Sequence, residues 1–275
     1  MKKFGLIGHP IAHSLSPALF KAAYDGKYAY DLIEGEDFET SYRRFIEEYD
    51  AINVTAPFKE AAFAKADILS EECASTGATN LLVKTPEGIK AYNSDFLGVR
   101  MWLSEVTEDL KGVLPPWPQG EGPAKREGFL SDPRSPLKSV KILIVGLGGA
   151  GKAAAAAAES LGMDVIRMNR TVRDSRTLPL DKFRECLREA DIMIYNIPAA
   201  IPELKELTDS DFNEDKPKLI LEANYKDPSL RETMESFGSK AVYTGGETWL
   251  LYQAMTGYEI LTGEKPDLRR MSDVL

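Results

Sequence analysis

Lys141-Ile142-Leu143-Ile144-Val145 runs straight into Gly146-Leu147-Gly148-Gly149-Ala150-Gly151, then into Lys152 and the six alanines Ala153 to Ala158. The apolar, β-branched run reads as a buried strand, the glycines as a tight turn and the alanines as a helix. G-x-G-x-x-G at such a junction is the spacing of a dinucleotide-binding turn. Gly146 allows a sharp exit from the strand, Gly148 lets the backbone approach a pyrophosphate, and Gly151 lets the helix press on the sheet. Unpaired N–H groups at the helix start, with the helix dipole behind them, then face the phosphates.

Working outward, Asp164-Val165-Ile166-Arg167-Met168 reads as the next strand, ending in Asn169-Arg170-Thr171-Val172-Arg173. An NAD site places an acid near that strand end for the ribose 2′-hydroxyl. Here arginines stand instead, and Arg170 with Arg173 suits a 2′-phosphate, so NADP is the expected cofactor. Ile192 to Asn196 and Leu219 to Ala223 supply later buried strands whose carboxyl ends should line the same crevice. Lys240 to Tyr243 leads through Thr244-Gly245-Gly246 into an apolar helix from Trp249 to Leu261. So apolar a helix needs two covered faces and is expected to return to the N-terminal domain. Gln253 on it would then be a buried amide and a candidate ligand contact.

With 275 residues, 43% of them hydrophobic, the chain can bury a substantial core, and the mid-chain glycine turn leaves room for a separate domain in front. We expect an α/β fold with a substrate-binding domain at 1–103, joined again by 248–275, and a Rossmann domain at 140–247. Between them residues 104–139 crowd prolines and glycines and read as an inter-domain insertion. A net charge of −9 argues against a general nucleic-acid or membrane surface. Two distant cysteines fit a reducing compartment, and two histidines in one loop leave no metal site or dispersed catalytic triad. The apolar run after Met1-Lys2-Lys3 stops at Gly8-His9-Pro10, too short for a secretory signal, so a cytoplasmic protein, monomer or homodimer, is expected.

In the N-terminal half, Phe4 to Ile7 reads as a first strand leaving through a loop to Ser14-Leu15-Ser16-Pro17. Pro17 suits the first helical position with Ser16 as N-cap, while Ser14 is freer to meet a ligand. Tyr30 to Glu34 is a second strand, and Phe38, Tyr42, Phe45, Ile46 and Tyr49 recur at helical spacing as core. Ala51 to Val54 is a third strand, ending in Thr55-Ala56-Pro57-Phe58-Lys59. A lysine at a helix start opposes the dipole, an unfavourable place for a merely solvated one, so Lys59 is a candidate functional residue with the solvated reading still open beside it. Gly77 to Lys84 and Ile89 to Asn93 form a hairpin about Pro86-Glu87-Gly88. Asn80 is a buried amide needing partners. Asp95 heads the following helix, where its simplest role is an N-cap.

Taken in order, Gly8-x-Pro10, His13-Ser14-x-Ser16-Pro17, Asn53-Val54-Thr55-x-Pro57-x-Lys59, Gly77-Ala78-x-Asn80 and Asn93-x-Asp95-x-x-Gly98 resemble the shikimate dehydrogenases. So do Gly146-x-Gly148-Gly149-Ala150, Asn169-Arg170-Thr171, Tyr225, and Gly246 with Gln253 in the second half. The resemblance implies NADP-linked interconversion of 3-dehydroshikimate and shikimate, with substrate held between the two domains. Ser14 and Ser16, assisted by Tyr225, would bind the substrate carboxylate. Thr55, Lys59, Asn80, Asp95 and Gln253 would surround the ring hydroxyls. Gly146, Gly148, Gly149, Ala150, Asn169, Arg170, Thr171, Arg173, Asn196, Gly246 and Trp249 would hold the cofactor. Lys59 would be the proton donor in reduction; because Asp95 favours its ammonium form while oxidation calls for a base, the two are expected to act as a coupled pair. Asn196-Ile197-Pro198-Ala199 and Trp249 depart from the family pattern near the nicotinamide.

Three other readings compete. A quinate/shikimate dehydrogenase using NAD would need the acid missing after Met168. A non-catalytic nucleotide or metabolite sensor would have no use for Lys59 and Asp95 together, and a methylene-folate dehydrogenase would have none for the Ser14/Ser16 loop.

Overall fold

The computed structural model describes residues 2–110, 140–172, 174–213 and 216–275. These divide into two compact units, one of residues up to 110 together with Leu251–Leu275, the other of residues 140 to 250. Arg173 and most of the Pro/Gly-rich stretch lie outside the described residues.

In the first unit the order is β1 (Lys3–Gly8), α1 (Ser16–Ala23), β2 (Ala29–Glu34), α2 (Phe38–Glu48), β3 (Ala51–Val54) and α3 (Lys59–Ala64). There follow β4 (Ile68–Leu69), α4 (Glu71–Thr76), β5 (Leu81–Thr85), β6 (Gly88–Tyr92) and α5 (Ser94–Leu110). The strands form one sheet in the order β2-β1-β3-β5-β6-β4. β1 lies parallel between β2 and β3, and β5 then runs antiparallel to β3 and β6 antiparallel to β5. That reversal decides where chemistry can gather, because the carboxyl ends of β1, β3 and β6 and the amino end of β5 all fall on one sheet edge. Beneath it Ile7, Phe45, Ile52 and Leu82 are fully buried in a common cluster with Phe38 and Tyr49. Ile46 is 40% exposed, so the helical spacing that assigned it to the core overshot by one residue. α5 continues past Ser104 to Leu110, further than the change in composition indicated.

The second unit comprises β7 (Lys141–Val145), α6 (Gly149–Ser160), β8 (Asp164–Met168), β9 (Thr177–Leu178), α7 (Phe183–Glu189), β10 (Ile192–Tyr195), β11 (Lys218–Glu222), α8 (Arg231–Glu235) and β12 (Ala241–Thr244). α9 (Gly246–Thr262) and α10 (Leu268–Ser272) complete the chain. The sheet order β12-β11-β10-β7-β8-β9, parallel throughout, is the doubly wound 3-2-1-4-5-6 order counted from β7. Its reversal lies between β7 and β10, where such sheets bind dinucleotides. Ile142 to Val145 and Ile192 to Tyr195 are completely buried, as strands covered by helices on both faces require. The alanines of α6 are almost all buried, their small side chains letting the helix lie close to the sheet.

Candidate functional site

At the sheet edge of the first unit, Thr55 follows β3, its N–H donating to Ile7 O at 2.9 Å and its carbonyl accepting from Phe58 N at 3.0 Å. His9 N donates to Ala56 O at 3.2 Å, which ties the loop leaving β1 to the loop leaving β3. Lys59 opens α3, and its Nζ is ion-paired with Asp95 Oδ2. Both side chains are mostly covered, 23% and 16% exposed, so the pair is shielded enough to matter without being sealed off. The cation that opposes a helix dipole has its counter-ion.

Asp95 does not cap α5. It lies within the first turn, and Asn93 caps instead, its Oδ1 accepting from Phe96 N at 3.1 Å. Spending Asn93 on the backbone leaves the Asp95 carboxylate for Lys59. Asn80 stands just before β5 rather than within it, and its carbonyl accepts from Val54 N at 2.8 Å. Its side chain meets Ser94 three times, Nδ2 donating to Ser94 Oγ at 3.0 Å and Oδ1 accepting from Ser94 N at 2.7 Å and from Ser94 Oγ at 3.3 Å. The Ser94 hydroxyl also reaches Gln253 Oε1 as a donor, at 3.2 Å. Gln253 is half-buried rather than buried. Gly98 makes its approach possible: a Cβ there would lie 2.5 Å from Gln253 N and 2.8 Å from its Cα. Ser94 is the residue the sequence reading passed over, although it sits between two residues singled out at a helix start.

On the β1 side, Leu15, not Ser16, occupies the N-cap of α1, and no side chain caps that helix. Ser16 is already helical, with Pro17 behind it. Ser14 Oγ accepts from Ser16 N at 3.2 Å, and the two hydroxyls lie 3.2 Å apart with Ser14 donating. The structure therefore presents Ser14 and Ser16 as adjacent hydroxyls on a half-buried turn.

In the second unit the glycine turn has the geometry a dinucleotide needs. Gly146 has φ +88°, where a side chain would be strained, and its N–H donates to Met168 O at 2.8 Å. A Cβ on Gly148 would meet nothing within 4 Å, leaving open space at the N-cap of α6 beside Gly149 and Ala150. Asn169 Oδ1 accepts from Leu147 N at 3.3 Å, so the end of β8 braces the turn, and Asn169 Nδ2 donates to Thr171 O at 3.1 Å. Arg170 and Thr171 are exposed beside it. The nearest acid, Asp174, is used locally: its carboxylate accepts from Arg176 N at 2.9 Å and from the Thr177 hydroxyl at 3.0 Å, and the Thr177 bond holds it below the usual carboxylate range.

Across the sheet reversal, Asn196 N donates to Val145 O at 2.7 Å, while its side-chain Oδ1 is buried without a hydrogen-bond partner. Tyr225 follows β11 in a loop held from within. Glu222, fully buried, accepts from Ser229 N at 2.6 Å, Leu230 N at 3.1 Å and the Tyr243 hydroxyl at 2.7 Å. Gly246 lets α9 start against the end of β11, since a Cβ would fall 2.5 Å from Ala223 O. Trp249 is buried a turn later. The open cradle at Gly148, the strand order and the orphaned amide oxygen of Asn196 together fit an NADP-type dinucleotide.

Among the described residues no helix is long and apolar enough to cross a membrane, and no His, Cys, Asp and Glu cluster suits a metal ion.

These features define a dinucleotide-dependent oxidoreductase with a Rossmann unit and a separate α/β unit bearing a lysine–carboxylate pair. Residues 6–82 match the shikimate dehydrogenase substrate binding domain, and residues 123–221 match the NAD binding domain of D-isomer specific 2-hydroxyacid dehydrogenases. Over nearly its whole length the chain is similar to shikimate dehydrogenases. It is 29% identical over 292 residues to the shikimate dehydrogenase (NADP(+)) of Staphylococcus aureus, covering 98% of this chain and 96% of that one. To the Thermotoga maritima shikimate dehydrogenase (NADP(+)) it is 28% identical over 271 residues, covering 94% and 92%. The crystal structure of shikimate 5-dehydrogenase from Thermus thermophilus in complex with NADP(H) and shikimate matches with a TM-score of 0.73 at 25% identity, covering 100% and 98%.

Proposed function

We propose that this protein catalyses the reversible NADP-dependent reduction of 3-dehydroshikimate to shikimate. The Lys59–Asp95 pair carries the reading: a shielded ammonium with its own carboxylate, on the sheet edge that also gathers Thr55, Asn80, Ser94 and Gln253. NADPH, when bound, supplies a hydride. Gly146, Gly148, Gly149, Ala150, Asn169, Arg170, Thr171, Asn196, Gly246 and Trp249 would hold it, Arg170 pairing with the 2′-phosphate and Arg173 joining it in the sequence reading.

The ammonium of Lys59 polarises the substrate carbonyl as negative charge develops on oxygen, then gives that oxygen its proton. Asp95, ion-paired with the lysine, orients it and shares the proton that restores it from water; in the oxidation direction the same pair accepts the proton. Asn80, held at both ends of its amide by Ser94, and Gln253 orient ring hydroxyls, with Thr55. Ser14 and Ser16 bind the carboxylate, assisted by Tyr225. The two buried free thiols, Cys73 and Cys186, support a reducing, cytoplasmic setting.

Following NADPH absorbance with and without 3-dehydroshikimate tests the reading. Substrate-dependent oxidation of NADPH is expected. Turnover confined to quinate with NAD, or tight ligand binding without turnover, would replace it with one of the competing readings.

A further inference from the structure

Tyr258, on the C-terminal helix α9, is almost completely buried, and its hydroxyl donates to Ser16 O at 3.1 Å. Packing alone does not call for that hydroxyl. The ring stacks edge-on against Phe20, centroids 4.8 Å apart, and a phenylalanine would fill the same space. Burying a phenol is unfavourable unless its O–H finds a partner, and the partner here is a backbone group of a candidate carboxylate-binding residue. Tyr30 lies beside it, centroids 6.2 Å apart, and donates its own proton to Asn53 Oδ1 at 2.8 Å. Burial pushes both phenols well above their ordinary range, so both remain neutral O–H groups. α1 has no side-chain cap of its own to fix the position of its first residue. Ser16 is therefore held from outside its own helix.

We propose that Tyr258 is a positioning residue for carboxylate recognition, fixing Ser16 at the start of α1 so that the Ser14 and Ser16 hydroxyls present one preformed site to the carboxylate of a cyclic polyol acid. The inference rests on the reading of this protein as a shikimate dehydrogenase and deepens it. α9 then sets two parts of the binding edge at once, Gln253 through Ser94 and Ser16 through Tyr258.

The test is Tyr258→Phe in the full chain, which keeps the ring and removes the O–H. Relative to wild type, KM for shikimate should rise ~10-fold, about what one hydrogen bond of ordinary strength supplies, with kcat and KM for NADP within about twofold. Inhibition by a cyclohexene triol lacking the carboxylate should be the same in both proteins. An unchanged KM for shikimate overturns the inference, as does equal weakening of the triol or a common fall in kcat and both affinities. Failure of the variant to fold also overturns the inference, because the O–H would then serve folding rather than carboxylate recognition. Absence of wild-type turnover would instead sink the functional reading, a separate and recognisable outcome.

Discussion

Gly151 stands so close to Gly146 that a Cβ built on it would lie 1.8 Å from the Gly146 carbonyl oxygen. The obstacle is backbone, which cannot swing aside as a side chain would. Gly151→Ala is therefore expected to force α6 away from β7 and to destabilise the protein by about 3 kcal/mol, seen as a lower thermal midpoint, with loss of NADP binding. Gly148→Ala makes the informative contrast, since its Cβ would project into open space. Its stability should fall by less than about 1 kcal/mol while KM for NADP rises steeply. If the two variants lose stability equally, the distinct roles given to these glycines are wrong.

Lys59→Met keeps the length of the side chain and removes the proton. Loss of general acid catalysis should lower kcat by ~100-fold or more and change KM for shikimate far less. Asp95→Asn should also lower kcat, and the double variant should be little worse than Lys59→Met alone, because the groups act as one unit. Additive losses in the double-mutant cycle would separate them.

Arg170 offers a cofactor test that does not touch the chemistry. Arg170→Gln is expected to raise KM for NADPH ~10-fold and to leave KM for NADH where it was, so the preference between the two narrows. Equal effects on both cofactors would show that the arginine does not meet the 2′-phosphate.

Asp211 gives a pH signature unrelated to catalysis. Its carboxylate is buried, accepting from Arg184 Nε at 2.8 Å, Arg188 Nε at 2.7 Å and Thr208 N at 2.8 Å. Burial pushes its pKa up, but Arg184, Thr208 and Arg188 together outweigh this and hold it at about 2. A carboxyl group depressed by folding stabilises the folded state above its unfolded pKa, and that stability is lost as pH falls toward 2. Asp211→Asn should thus cost roughly 2 kcal/mol at neutral pH, and the difference from wild type in thermal midpoint should shrink steadily below about pH 4.

Much of this architecture could be read from local pattern. β7 has the bounds that its apolar run announces, Lys141–Val145, because a strand buried on both faces carries an unbroken hydrophobic signal. Lys59 was legible for a different reason: a cation at a helix start is locally unfavourable, so its explanation had to be tertiary, and Asp95 is that explanation. Capping was misread at both helices that matter. Ser16 and Asp95 each satisfy the composition rule for an N-cap, but neighbours one or two residues earlier took the position, and backbone dihedrals rather than residue type decided it. Ser94 and Tyr258 were invisible because each acts through a partner more than a hundred residues away, a separation that no sequence window spans.

The carboxylate of Glu222 gathers the far end of the loop bearing Tyr225, and Asn224 ties its near end by donating to Asp227 O at 2.6 Å. Between these two anchors the chain has little conformational freedom left to surrender. A ligand that reaches Tyr225 meets a rigid wall instead of a segment it must organise, and the entropy of shaping that wall is charged to folding, not deducted from affinity.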